Sequence, residues 1–211
     1  MMPKVICCTM YSPSYEGMAD ICLASMNRYA ARHGYSVRHI QVNDNDAWFK
    51  KHDSFERFFD ELGEGDVIWY TDCDSLVMNH KKPITDFLFD TKSFFITKDF
   101  TELNGGSVII RNDEIGREIN RTVLAFKNSF PNEQNYFNSQ SFKDSFGEYV
   151  MVLPQHAINS YKYSLYPECA SYVGKHELGD YEPGDLLIHF PGLGTDTKLK
   201  LMQEYSKQII E

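Results

Sequence analysis

Along the chain the apolar positions change period several times, and each change predicts an element. Val5-Ile6-Cys7-Cys8-Thr9 is an unbroken apolar run ending in a small polar residue, the pattern of a strand buried on both faces. Met18, Cys22, Met26 and Tyr29 then recur at helical spacing, with Gly34 as a stop. Ser36 to Val42 alternates as a second strand. Phe55, Phe58, Phe59 and Leu62 form an i, i+3, i+4, i+7 stripe, which predicts a helix packed into the core. Asp53 and Glu56 stand as its capping box and Gly63 as its C-terminal stop. A third strand begins at Val67.

Further on, Pro83 to Phe89 predicts a short helix, and Phe94–Lys98 and Gly106–Arg111 two more strands. Ile115, Ile119, Val123 and Phe126 mark a helix opened by Asn112 or Asp113. Asn132 to Phe142 predicts another helix and Tyr149 to Leu153 a strand. Residues 155–185, rich in Tyr, Gly, Pro and His, show no period and read as a loop-rich substrate lid. Leu186–Phe190 is the last strand, and Leu201, Met202, Tyr205 and Ile209 place a final helix. Strands alternating with helices, then a mixed second half, predict an α/β sandwich.

Composition narrows the picture. A length of 211 residues predicts one domain. A net charge of −9 without any basic run excludes nucleic acid as a partner, because phosphate neutralisation needs clustered Lys and Arg. A small nucleotide, which needs only a metal and one or two cations, stays allowed. The five cysteines have no C-x-x-C spacing, so they read as small apolar residues in a reducing compartment. Met1 to Thr9 runs directly into a strand without the apolar core of a signal peptide, and no stretch approaches the ~18 apolar residues of a membrane span. These features predict a soluble, cytoplasmic protein without a membrane span. A predicted helix running up to Glu211 is what one domain of a longer polypeptide would show.

The chemistry centres on Val67-Ile68-Trp69-Tyr70-Thr71-Asp72-Cys73-Asp74. Residues i and i+2 at a strand end point the same way, so Asp72 and Asp74 converge. Two such carboxylates repel unless a cation lies between them, and oxygen ligands at a partly open site suit Mg²⁺ or Mn²⁺ carrying a diphosphate. A solvated acidic turn would use the same residues, so other features must decide. His189 precedes the turn Phe190-Pro191-Gly192-Leu193-Gly194 and could give a nitrogen ligand to the same metal. A structural histidine in a turn is the alternative. Gly192, Gly194 and Lys198 could cradle a diphosphate, unless Lys198 is a solvated residue of a helix start. Asn104-Gly105-Gly106 would let a sugar approach the backbone, or would make a plain turn. Glu133-Gln134-Asn135 at a helix start could grip a sugar, or cap the helix.

Taken in this order, Asp-x-Asp, Asn-Gly-Gly, Glu-Gln and His-Phe with a later Lys resemble the GT-A fold glycosyltransferases. The similarity is to the retaining galactosyl-, xylosyl- and glycogenin-like families, over about residues 4–200. The chain also resembles glycosyltransferase domains that act in algal-virus capsid glycosylation. The resemblance implies a GT-A type α/β/α sandwich with a mixed, mainly parallel central sheet. Residues 1–103 would form a nucleotide-binding half and residues 104–211 a donor-sugar and acceptor half of a single domain.

It further implies a UDP-sugar donor, Mn²⁺ (or Mg²⁺), and a glycan or glycoprotein acceptor, a viral capsid protein among the candidates, in the host cytoplasm if viral. Asp74 and His189 would ligate the metal, and Asp72 the metal, the ribose, or both. Thr9, Met10 and Tyr11 would hold uracil and ribose. Lys198, with Lys50 or Lys51, would contact the diphosphate beside Gly192. Asn104, Gly105, Glu133 and Gln134 would face the sugar, with Glu133, Gln134 and Asp72 nearest the reaction. Two departures stand out: the His189-to-Lys198 spacing exceeds the glycogenin-like pattern, and Glu133 stands where Asp is commoner.

Rival classes fit less well. A haloacid-dehalogenase-type phosphatase carries its Asp-x-Asp on the first strand with Thr or Val two residues after the second Asp; here it follows the third, and Leu76 stands there. A nucleotidyltransferase wants a Gly-rich loop after the first strand, which Thr9-Met10-Tyr11-Ser12-Pro13-Ser14-Tyr15 is not. A glycan-binding scaffold on an inactive transferase fold is the non-enzyme alternative.

Overall fold

The computed structural model describes residues 2–43, 47–89 and 91–211. Among the described residues, nine strands and seven α-helices follow in the order β1 (Val5–Tyr11), α1 (Glu16–His33), β2 (Ser36–Gln41), α2 (Ala47–Glu61), β3 (Val67–Thr71), β4 (Ser75–Val77), β5 (Phe94–Lys98), β6 (Leu103–Arg111), α3 (Glu114–Ala125), α4 (Glu133–Phe137), α5 (Gln140–Phe146), β7 (Val150–Leu153), α6 (Gln155–Ile158), β8 (Ser160–Tyr161), β9 (Leu187–His189) and α7 (Thr195–Tyr205). Six strands make a mixed sheet in the order β2-β1-β3-β6-β5-β7, with β6 alone antiparallel to its neighbours. A second sheet, β4-β9-β8, stands at its carboxyl edge.

Helices cover both faces because the central strands are apolar on both. Val5, Cys7, Val67, Trp69 and Ile109 pack toward the α1 and α7 side, against Met18, Cys22, Met26 and Met202. Ile6, Cys8, Ile68, Tyr70 and Val108 pack against Phe55, Phe59, Ile119 and Phe137 of α2, α3 and α4. This is the expected α/β/α sandwich. All five cysteines are buried and free.

Several boundaries differ from the sequence reading. The α2 helix already runs from Ala47, so Asp53 and Glu56 lie inside it and cap nothing. Gly63 does not close α2 in a left-handed turn; its N–H instead donates to Asp66 Oδ2 at 2.8 Å, and the left-handed residue is Gly65. Pro83–Phe89 contains a single 3₁₀ turn, Ile84–Phe87. The 132–142 segment is two helices, broken where the Asn138 side chain donates to Leu103 O and the Ser139 hydroxyl caps α5. The last helix starts at Thr195 and ends at Tyr205; Glu211 is non-helical and lies against Arg28 and His80. Asn104-Gly105-Gly106 is strand rather than turn, since β6 begins at Leu103. Asp113, of the two candidates, is the cap of α3, accepting from Gly116 N–H.

Candidate active site

Strand register assembles the acidic site. The β3–β6 ladder ends with Thr71 opposite Ser107, so the next residue, Asp72, donates its N–H to Gly106 O at 2.8 Å. The β4–β9 ladder sets His189 opposite Ser75, and Phe190 N–H closes on Asp74 O at 3.0 Å. Asp72, Asp74 and His189 thus offer ligand atoms that all lie within 4.8 Å of one another. Tyr70 O–H donates to Asp72 Oδ1 at 2.6 Å. His189 Nε2 is 3.0 Å from Asp74 Oδ1 and 3.9 Å from Asp72 Oδ2. Lys198, one turn into α7, donates to Asp74 Oδ2 at 2.6 Å, so the longer His-to-Lys spacing still delivers the ammonium.

Charge distribution follows from this packing. Burial by itself raises the pKa of Asp74, but His189 and Lys198 more than offset it and hold the carboxyl well below its ordinary range. Asp72 moves the other way: the cleft walls desolvate it and push its pKa up, Asp74 adds to the push, and Lys51 and His189 oppose it. Its side chain keeps 40% exposure, against 11% for Asp74 and 2% for His189, so Asp72 is the open edge of the triad. Two carboxylates and one imidazole nitrogen, partly open to a cleft, form a donor set that suits Mn²⁺ or Mg²⁺. Gly106 supports that fit. A Cβ there would lie 2.5 Å from His189 Cε1 and 3.0 Å from Asp72 Oδ2, so the glycine is what allows the ligands to close on the sheet.

The triad forms one wall of a cleft of about 600 Å³. Met10, Tyr11, Ser12, Val42 and the exposed Trp48 also line it, as do Lys51, Asn104, Gly105, Glu133 and Gln134. Lys51 is fully engaged there. Its ammonium pairs with Glu133 Oε1 at 2.6 Å, donates to Gly105 O at 2.9 Å and lies over the Tyr70 ring. Burial raises the pKa of Glu133, with Lys51 opposing. Glu133 Oε2 is buried without a hydrogen-bond partner, facing the same region. Gln134 Oε1 accepts from Gly105 N–H at 3.3 Å.

Three expected residues are not brought to this cleft. Lys50 lines a separate groove with Asp53 and Arg57. Thr9 is fully buried and lies beside Cys22 of α1. Gly192 has left-handed φ of 71° and does not line the cleft. Conversely, Tyr70 and Asn159 touch the triad and carry no sequence signal of it. Tyr70 reads as one more apolar strand residue, and Asn159 sits in the aperiodic segment.

Comparison with known proteins agrees with this geometry. Residues 6–93 match the galactosyl transferase GMA12/MNN10 family. An alpha-1,2-galactosyltransferase of Schizosaccharomyces pombe is 25% identical over 82% of this chain and 56% of its own length. A second protein of that yeast, an uncharacterized alpha-1,2-galactosyltransferase, is 24% identical over 87% of this chain. The chain thus spans 56% and 58% of the length of these curated relatives. Among solved structures, a glycosyltransferase involved in glycosylation of the major capsid of PBCV-1 superposes with a TM-score of 0.75 at 18% identity, covering 96% of this chain and 100% of the other. The galactosyltransferase LgtC, solved with donor and acceptor sugar analogs, gives 0.59 at 14% identity, covering 98% and 96%. With its Asp-x-Asp pair at the carboxyl end of β3, the chain has the GT-A fold of these solved structures.

Proposed function

We propose that this chain transfers a sugar from a UDP-sugar to a glycan or glycoprotein acceptor, with Mn²⁺ or Mg²⁺ and with retention at the anomeric carbon. The observation that carries the proposal is the convergence of Asp72, Asp74 and His189 beside Lys198 on one wall of the cleft. Asp74, His189 and Asp72 would hold the metal, which supplies Lewis-acid stabilisation of a departing diphosphate. Lys198 adds a fixed positive charge at the same place, where charge develops as the sugar–phosphate bond breaks. Met10, Tyr11 and Trp48 would take a nucleobase and ribose. Lys51, Gly105, Glu133 and Gln134 would take the sugar.

Retention is favoured by how the carboxylates are used. Among the described residues lining the cleft, the acidic ones are Asp72, Asp74 and Glu133. The first two are committed to the cation site, and Glu133 is held by Lys51. An inverting reaction needs a free carboxylate base aimed at the acceptor hydroxyl. The names of the yeast relatives make UDP-galactose the first donor to try. A capsid-protein acceptor rests on similarity to the PBCV-1 enzyme. Asp74→Ala and His189→Ala should each abolish Mn²⁺-dependent release of UDP from UDP-galactose while the protein stays folded by circular dichroism. Wild-type turnover in either variant would overturn the proposal.

A further inference from the structure

His189 can serve a cation only through Nε2, which lies 3.0 Å from Asp74 Oδ1, and a cation that takes Nε2 leaves the ring's remaining proton on Nδ1. The structure provides for that proton through a chain of amides that begins at a group whose polarity is unambiguous. The backbone N–H of Gly106 donates to the Asn104 side chain at 2.8 Å, so the atom it meets must be the Asn104 oxygen. That oxygen also faces an Asn159 side-chain atom at 3.1 Å, which must therefore be the Asn159 amide nitrogen. The same nitrogen reaches Thr97 Oγ1 at 3.1 Å. Asn159 is left with its oxygen toward His189 Nδ1, 2.9 Å away. The other end is consistent: Asn104 Nδ2 donates to Asp99 Oδ2 at 2.9 Å, and that carboxylate oxygen also accepts from Tyr161 O–H.

We infer that Asn159 is a positioning residue that holds the Nδ1–H of His189 and so fixes the ring with Nε2 toward Asp74 and Asp72, where a cation would take it. Asn159, Asn104 and His189 are all buried, Asn159 completely. The relay also limits Asn104. Its oxygen accepts from both Gly106 and Asn159, and one N–H goes to Asp99, so a single N–H remains for any sugar. Asn104 thus acts chiefly through His189.

The inference rests on the proposed cation site, and its test keeps the two separable. In metal-free protein labelled with ¹⁵N-histidine, long-range ¹H–¹⁵N NMR reads which ring nitrogens of His189 carry protons. Wild type should show a proton on Nδ1, with or without one on Nε2 toward Asp74, and Asn159→Leu, which matches the size without the acceptor, should show Nε2–H with the Nδ1 proton lost. Mn²⁺ affinity read by electron paramagnetic resonance should fall about 10–100-fold in Asn159→Leu. It should largely recover in Asn159→Asp, which keeps an oxygen for Nδ1–H. If Asn159→Leu fails to fold, Thr97→Val and Asn104→Leu each loosen Asn159 without touching His189, and both should move the tautomer ratio in the same direction. A wild-type ring with no proton on Nδ1, or an unchanged Nδ1–H and Mn²⁺ affinity in the folded variants, would overturn the inference. A correct tautomer in a protein that binds no Mn²⁺ would leave the relay standing and refute the cation site alone.

Discussion

Adding one methyl group at Gly106 should disable the site without unfolding the protein. The Cβ of Gly106→Ala would stand 2.5 Å from His189 Cε1, 2.9 Å from Asn104 Oδ1 and 3.0 Å from Asp72 Oδ2. Ordinary carbon contacts lie at about 3.5–4.0 Å, so the imidazole must retreat by about 1 Å. The backbone has little freedom to yield instead. Gly106 lies within β6, its O accepts Asp72 N–H at 2.8 Å, and its N–H is bound to Asn104. Gly106 is not in the left-handed region, so the effect is that of the methyl and not of backbone strain. Overpacking of this kind costs about 1–3 kcal/mol. In a domain of this size it lowers Tm by roughly 2–4 °C for each kcal/mol.

Metal–ligand distances tolerate only about ±0.2 Å, so a ~1 Å retreat of His189 should weaken Mn²⁺ binding by at least about tenfold. Calorimetric titration of Mn²⁺ into folded protein, with thermal melts of the same samples, checks both halves. Gly147→Ala is the control, because nothing lies within 4 Å of a Cβ there. Wild-type Mn²⁺ affinity and turnover in Gly106→Ala would show that His189 does not have to close on the sheet, and the site as described would be wrong.

Two further outcomes follow from buried charges. Lys51→Met removes the partner of Glu133, both side chains being at least 95% buried, and should destabilise the fold by about 3–5 kcal/mol at pH 7 in urea titrations. The loss should shrink toward pH 5, as Glu133 takes up a proton; an unchanged midpoint at pH 7 would mean the pair is not buried as described. His52 is fully buried, and desolvation, with Lys51 beside it, lowers its pKa from 6.5 to about 3. The unfolded chain therefore binds this proton first as pH falls, and stability is lost below pH 6.5, by about 2 kcal/mol at pH 5. His52→Gln should remove that part of the slope between pH 7 and 5; an identical slope in the variant would refute a neutral buried His52.

How far the sequence reaches can be judged residue by residue. Strand β1, helix α1 with its Gly34 stop, and strand β3 with its acidic pair are local patterns, and each appears where its period predicts. The core stripe of α2 is legible too, but its start is not: Asp53 and Glu56 mimic a cap because the helix continues before them. Asn104-Gly105-Gly106 carries turn residues, yet it is held in β6 by pairing with β5 across an irregular register between Ile96 and Thr97. The break at Asn138 depends on Leu103, 35 residues away. The triad is legible because Asp72 and Asp74 stand one residue apart at a strand end and His189 precedes a Gly-rich turn. Asn159 and Tyr70 are not, since their role exists only through long-range contacts, with His189 30 residues on in the first case. Lys50 and Lys51 are neighbours in sequence but on a helix they point apart, which sends Lys51 to the cleft and Lys50 to another groove.

The most direct test of the cation–nucleotide site is a calorimetric titration of the purified protein with UDP, GDP and several UDP-sugars, in Mn²⁺ and again with EDTA. The account predicts UDP binding that needs the metal and vanishes with EDTA, with one UDP-sugar preferred over the others. Absence of nucleotide binding under any metal would contradict it.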